Sequence, residues 1–273
     1  LPRSIRRDGE QILPDARGLY SEIPRRERQI GDDALIAKLF SQYYGSVREA
    51  VADMAARIKQ TADTWRSVNK LNLLDGRAAR AQRTKSPFIQ GPMTRVSDVP
   101  EFVKEVCDAN ALGTLALAVA SPSQAEALLT QAEAVLQGRT WAVGMLGFLD
   151  EALVRRHLEL VQQSSASAVV LAGGRPYQEK LLRDAGKQCF VHVPSADLLR
   201  TFVAAGARCF VFEGAECGGH IGPLYSLPLW ELQVSVLLEL VDDHKVAAED
   251  LVIAMAGGIH DSSSVAMALL TAA

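Results

Sequence analysis

From Ser86 onward the chain alternates between short apolar runs and longer amphipathic stretches, and this alternation leaves few folds open. Runs at about 87–90, 112–119, 140–146, 167–172, 188–193, 208–212 and 251–256 read as strands. Stretches at about 98–110, 122–137, 150–163, 177–185, 195–205 and 228–243 read as helices, with a last one beginning near Asp261. Ala168-Val169-Val170-Leu171-Ala172 is apolar without a break, the pattern of a strand covered on both faces. Strands and helices in strict turn imply a parallel sheet with right-handed crossovers.

Special residues recur directly after these runs. They are Gln90-Gly91-Pro92-Met93, Gly173-Gly174-Arg175-Pro176, His192, the loop Glu213 to Pro223 with His220, and Gly257-Gly258. A doubly wound sheet concentrates such residues at one switch point. Residues spread over the C-terminal ends of many strands favour a (β/α)8 TIM-type barrel, whose active site lies on that face. Seven strand–helix units fit into 86–273, so the expectation is a barrel lacking its eighth unit, behind a helical N-terminal arm.

Composition narrows the function. A net charge of -3 argues against a general nucleic-acid binder. No apolar run approaches the ~20 residues that span a bilayer, and the polar N-terminus has no apolar signal core. A cytoplasmic protein with reduced thiols is expected, since Cys107, Cys189, Cys209 and Cys217 have neither CxxC nor metal-ligand spacing.

Charge divides the chain near Lys85. Residues 1–85 carry 17 Lys+Arg against 11 Asp+Glu, and 86–273 carry 12 against 21. The chain starts at Leu1 rather than Met, as one cut from a longer polypeptide would. Residues 1–31 read as a basic arm or linker with a solvated surface. From Asp32 the pattern turns helical, with Asp32 and Asp33 as acceptable caps and Gly45 as a break. Val47, Val51, Met54, Ile58, Trp65 and Val68 then form an amphipathic stripe. The stripe either packs on its own domain or serves as a docking or homodimer helix.

Three motifs carry a family resemblance. Gln90-Gly91-Pro92-Met93 resembles the first-strand motif of the nitronate monooxygenase family, also called 2-nitropropane dioxygenase-like. Glu213 to Gly222 resembles its Glu-x-Gly-Gly-His-x-Gly signature, with Cys217 where Ala is usual, and Gly257-Gly258-Ile259 resembles its phosphate loop. The wording Phe88 to Asp98, with Phe212 to His220, is closer to one branch, the flavin reductase-like domains of polyketide and polyunsaturated fatty-acid synthases. The third-strand segment Gly144-Met145-Leu146-Gly147-Phe148 lacks the family's Asn. His192 stands where a Lys is often found, and the eighth-strand loop that helps to hold the phosphate is absent.

The resemblance implies FMN on the C-terminal face of the barrel. Gly257 and Gly258 would then hold its phosphate, with Gly91, Pro92, Met93, Gly174, Gly218 and Gly219 near the cofactor. His220 is the candidate proton-transfer residue, or else a histidine that holds the loop. His192 either supports negative charge at the flavin edge or is structural. A Cys217–His220 nucleophile pair is a weaker reading. Glu213 and Glu216 shape the loop or bind a hydroxyl, and His157, His244 and His260 read as surface or helix-end residues. The implied activity is enoyl reduction of acyl chains on an acyl carrier protein or other domains of a synthase, with NAD(P)H as reductant. Nitronate oxidation with oxygen, or a noncatalytic scaffold fragment, are the alternatives.

Overall fold

The computed structural model describes residues 6–7, 10–11, 41–67, 77–219 and 221–272, in two compact units, Leu1–Asn69 and Lys70–Ala273. In the first unit β1 (Arg6–Arg7) pairs antiparallel with β2 (Glu10–Gln11). Its long helix is α1 (Val47–Ser67). Gly45, at a φ of 69°, breaks the chain before it. The Ser46 hydroxyl then caps α1 by accepting from the Glu49 N–H at 3.2 Å. The caps expected at Asp32 and Asp33 lie outside the described residues. Four stripe residues, Val47, Val51, Met54 and Ile58, are exposed, while the Trp65 side chain and Val68 lie outside the described residues.

The second unit runs α2 (Arg77–Gln82), α3 (Pro100–Asp108), β3 (Gly113–Ala116), α4 (Pro122–Val135), β4 (Trp141–Leu146), α5 (Glu151–Gln163) and β5 (Ala168–Ala172). It continues with α6 (Pro176–Asp184), β6 (Gln188–His192), α7 (Ala196–Ala204), β7 (Cys209–Glu213), α8 (Ser226–Asp242), β8 (Val252–Ala256) and α9 (Ser262–Ala272). The helices start where their sequences allow. Pro100, Pro122 and Pro176 open α3, α4 and α6, where a missing N–H costs nothing. Ser121, Asp150 and Ser195 accept backbone N–H bonds at the starts of α4, α5 and α7.

All six strands are parallel and pair in chain order, β3 to β8. That order is the singly wound order of a barrel wall. Side chains alternate between two cores. Val143, Val169, Leu171, Val191, Phe210 and Phe212 point outward and pack with Trp141, Phe202 and Trp230 beneath the helices. Leu112, Ala142, Ala168, Val170, Phe190 and Val211 point inward. Ile89, Val252 and Ala254, from opposite ends of the sheet, join this inner cluster. The sheet therefore curls around its own inner face.

The first of the seven predicted strands, 87–90, forms only one bridge, Ile89 to Leu112. Pro87 and Pro92 flank the run, and neither can donate to a ladder. Predicted strand 112–119 is also cut short. Ala118 takes a φ of 23°, which ends β3 at Ala116. At the base, α2 packs against β8 with Ala79 and Gln82 buried. The Thr140 hydroxyl donates to the Arg83 carbonyl at 3.1 Å, which holds the next turn under β4. The compact unit thus begins ahead of the compositional break near Lys85.

Candidate active site

The predicted residues that are described gather at the C-terminal edge of the curled sheet, where parallel strands hand over to loops. His220 lies outside the described residues.

The loop after the Ile89 bridge is pinned first. The Gln90 side chain accepts the Thr114 N–H at 2.9 Å, tying the loop to β3. Pro92 leans on β4 at Gly144, where an added methyl would stand 2.1 Å from its Cβ. Gly144 is thus the socket for Pro92, and Pro92 is partly a packing residue. Gly91 differs: an added methyl there would meet nothing within 4 Å, and its φ is not positive. Met93 is 40% exposed beside it. The Thr114 hydroxyl, on the inward face of β3, is buried without a partner.

The loops after β4 and β5 are locked together. Buried Gln178 donates to the Gly147 carbonyl at 2.9 Å and accepts the Arg175 N–H at 2.7 Å. Gly174, expected to touch a cofactor, has a packing reason of its own. A methyl there would lie 2.4 Å from Leu171 Cδ2.

The next loop folds back on itself. The Glu216 carboxylate accepts both the Ser226 N–H and the Ser226 hydroxyl at 2.7 Å. It thereby holds the N-terminus of α8, where a negative charge is favoured. These bonds keep its carboxyl below the usual range. Gly214 and Gly257 both sit against Ser226, and a methyl on either would come within 2.2 Å of its Oγ. Gly257 also has a φ of 109°. Gly218 and Gly219 face open space. Gly258 has a φ of 68° and only Glu216 Cβ nearby, at 3.9 Å. The exposed His260 ring bonds the Gly258 carbonyl through Nδ1 at 2.8 Å.

His192 and Glu213 close the inner side. They end β6 and β7, and His192 pairs with Val211, so both point into the sheet's interior. His192 Nδ1 lies 2.6 Å from Glu213 Oε2, with each side chain 13% exposed. The contact is within ion-pair distance but misses hydrogen-bond direction, and neither atom has another partner. Cys217 stands against the same carboxylate. Burial first, then Glu213 and Glu216, push its thiol up to about 12. Such a thiol stays protonated near neutral pH, and His220, the other member of the weaker nucleophile pair, lies outside the described residues. His157 corrects another expectation. It is fully buried, with Nε2 2.9 Å from the Ala120 carbonyl, and burial lowers its pKa.

Sequence reasoning missed Thr114, the Gln178 lock and the capping role of Glu216. Glu216 and Ser226 are ten residues apart, outside any local capping pattern. Among the described residues no group of His, Cys, Asp and Glu has the arrangement of a metal site. None of their helices is long and apolar enough to cross a membrane.

Residues 141–273 match the model of the nitronate monooxygenase family. That stretch, just under half of the chain, is similar to the family. Its sequence is 27% identical over 185 residues to a curated relative from Rhodococcus jostii (strain RHA1), (3aS,4S,5R,7aS)-5-hydroxy-7a-methyl-1-oxo-octahydro-1H-indene-4-carboxyl-CoA dehydrogenase. That match covers 67% of this chain and 48% of the relative. The fold also resembles FabK from Thermotoga maritima, at a TM-score of 0.59 and 21% identity over 71% of this chain and 58% of that one. The enoyl reductase domain of MlnA, from the macrolactin biosynthesis cluster of Bacillus amyloliquefaciens, matches at a TM-score of 0.61 and 15% identity. That match covers 71% of this chain and 53% of the domain. The chain thus spans about half the length of the curated relative it matches.

Proposed function

We propose that the barrel is the flavin-binding part of an FMN-dependent oxidoreductase that reduces the C=C bond of acyl thioesters carried by a synthase. The observation that carries this reading is the set of glycines at the mouth for which the protein itself has no use. Gly91 and Gly218 have neither a positive φ nor a neighbour within 4 Å of an added methyl. A glycine with no internal reason fits a ligand that must lie flat against the backbone. The Thr114 hydroxyl, fully buried on the inner face of β3, is a further polar group that still lacks a partner.

These features fit FMN. Gly91, Met93, Gly218 and Gly219 would border it, and the Gly258 turn ahead of α9 would present N–H groups to its phosphate. When bound, FMN carries the hydride between nicotinamide and substrate. The chain's own residues supply position and proton control. His220 gives the proton to the substrate carbon next to the carbonyl, and Cys217 stays a neutral thiol that packs under the loop. The curated relative's name specifies a CoA thioester, which favours thioester chemistry. The family match favours nitronate oxidation as the second reading.

Titration of the chain with FMN, followed by anaerobic reduction, separates these readings. Bleaching by NADH or NADPH and recovery with a crotonyl thioester is the expected result. Bleaching by a nitronate instead supports the second reading, and no flavin binding supports a scaffold. With flavin bound, His220→Ala should slow turnover about 100- to 10,000-fold and leave FMN in place. Unchanged turnover removes His220 from the chemistry.

A further inference from the structure

His192 and Glu213 form a half-buried pair of titratable groups facing the mouth. Its two atoms lie 2.6 Å apart, and neither has another hydrogen-bond partner. A buried carboxylate oxygen such as Oε2 is costly to leave without a proton donor. At this distance two bare lone pairs repel, so one of the two atoms must carry a proton although the contact misses hydrogen-bond direction. The Cys217 thiol flanks the same carboxylate from the following loop. Glu216 is turned away, bound to Ser226. Of the two ring nitrogens, only Nδ1 is a buried atom without a partner.

We propose that Glu213 is a positioning residue that holds a proton on His192 Nδ1, so that Nε2 is the atom presented to the ligand in the mouth. The fixed tautomer leaves one proton position free to change. With Nε2 bare, the ring accepts a hydrogen bond from the ligand. When Nε2 takes a proton from the ligand or solvent, the ring becomes an imidazolium whose charge Glu213 balances. The Nε2–H bond formed is matched by the donor's bond broken, and the step reverses when Nε2 returns the proton. The complementary ligand chemistry is an electron-rich edge that gains a donor as it becomes more anionic. This deepens the flavin reading and rests on it for the ligand, while the tautomer itself does not depend on any ligand.

Two readouts test the pair. Long-range ¹H–¹⁵N correlation spectra of the flavin-free protein report which ring nitrogen carries the proton, with His192 assigned by the signal lost in His192→Gln. The wild type should show the Nδ1–H tautomer. Glu213→Gln should switch it to Nε2–H, because the new amide can donate to Nδ1. An Nε2–H tautomer in the wild type overturns the proposal without any variant, as does an unchanged tautomer in folded Glu213→Gln. The second readout is the ratio of affinities for reduced and oxidised FMN. Glu213→Gln should lower the preference for the reduced form by about tenfold, the worth of one charge-assisted hydrogen bond. An unchanged ratio overturns the proposed charge support. If the wild type binds no FMN in either state, the flavin reading fails while the tautomer still decides the pair.

Discussion

The mouth of the barrel has a packed floor and an open rim, and the two use glycine for different reasons. On the floor, Gly144, Gly174, Gly214 and Gly257 are glycines because Pro92, Leu171 and Ser226 already fill the space of a side chain. On the rim, Gly91, Gly218 and Gly219 face nothing within 4 Å. A glycine-rich motif is therefore not one signal. Part of it lets loops dock on one another, and only the remainder is left for a ligand.

The largest expected effect lies on the floor. Gly257→Ala combines a φ of 109° with a methyl 2.2 Å from Ser226 Oγ. It should destabilise the unit by about 3 kcal/mol or more, read by urea unfolding. Wild-type stability would erase the distinction between floor and rim. Cys217, whose Sγ lies 3.5 Å from that same added methyl, offers the next test. Its folded-state pKa is raised to about 12, so the protonated form is retained as pH rises through the ordinary thiol range. Alkylation at pH 8 should be about 100-fold slower than for an unfolded thiol. Glu213→Gln should speed it, since two of the causes come from that carboxylate. Fast labelling in the wild type would show that the floor is open.

On the rim, Gly91→Ala and Gly218→Ala should leave stability within about 0.5 kcal/mol. FMN affinity should fall about tenfold by fluorescence titration. Unchanged affinity places the ligand elsewhere. A last test, Gly258→Ala, lies between the two regions. Its φ of 68° alone should cost about 1–2 kcal/mol, since the nearest atom is 3.9 Å away. A loss as large as that of Gly257→Ala would move Gly258 onto the floor.

The sheet was readable because runs such as Ala168 to Ala172 are apolar throughout, and such runs have few alternatives between helices. The first strand was overread, since Phe88-Ile89 looks like the others while Pro87 and Pro92 limit its pairing to one bridge. The motif glycines were legible as a face but not as two classes. Whether a Cβ meets Ser226 or empty space depends on a helix that starts more than ten residues away. The His192–Glu213 pair was hidden for the same reason, because strand register sets it. His157 was misplaced because a lone histidine on a helix carries no mark of the Ala120 carbonyl it meets.

The contact of α2 with β8 has a consequence for how the unit comes into being. It joins the beginning of the unit to its last described strand, so the base is completed only when nearly the whole unit has been synthesised. Such distant partners raise contact order and slow folding. Until β8 arrives, the inner residues around Phe190 lack one wall. A ribosome-bound intermediate stopped before Val252 should therefore be the form that a chaperone recognises, and release of β8 should end that recognition.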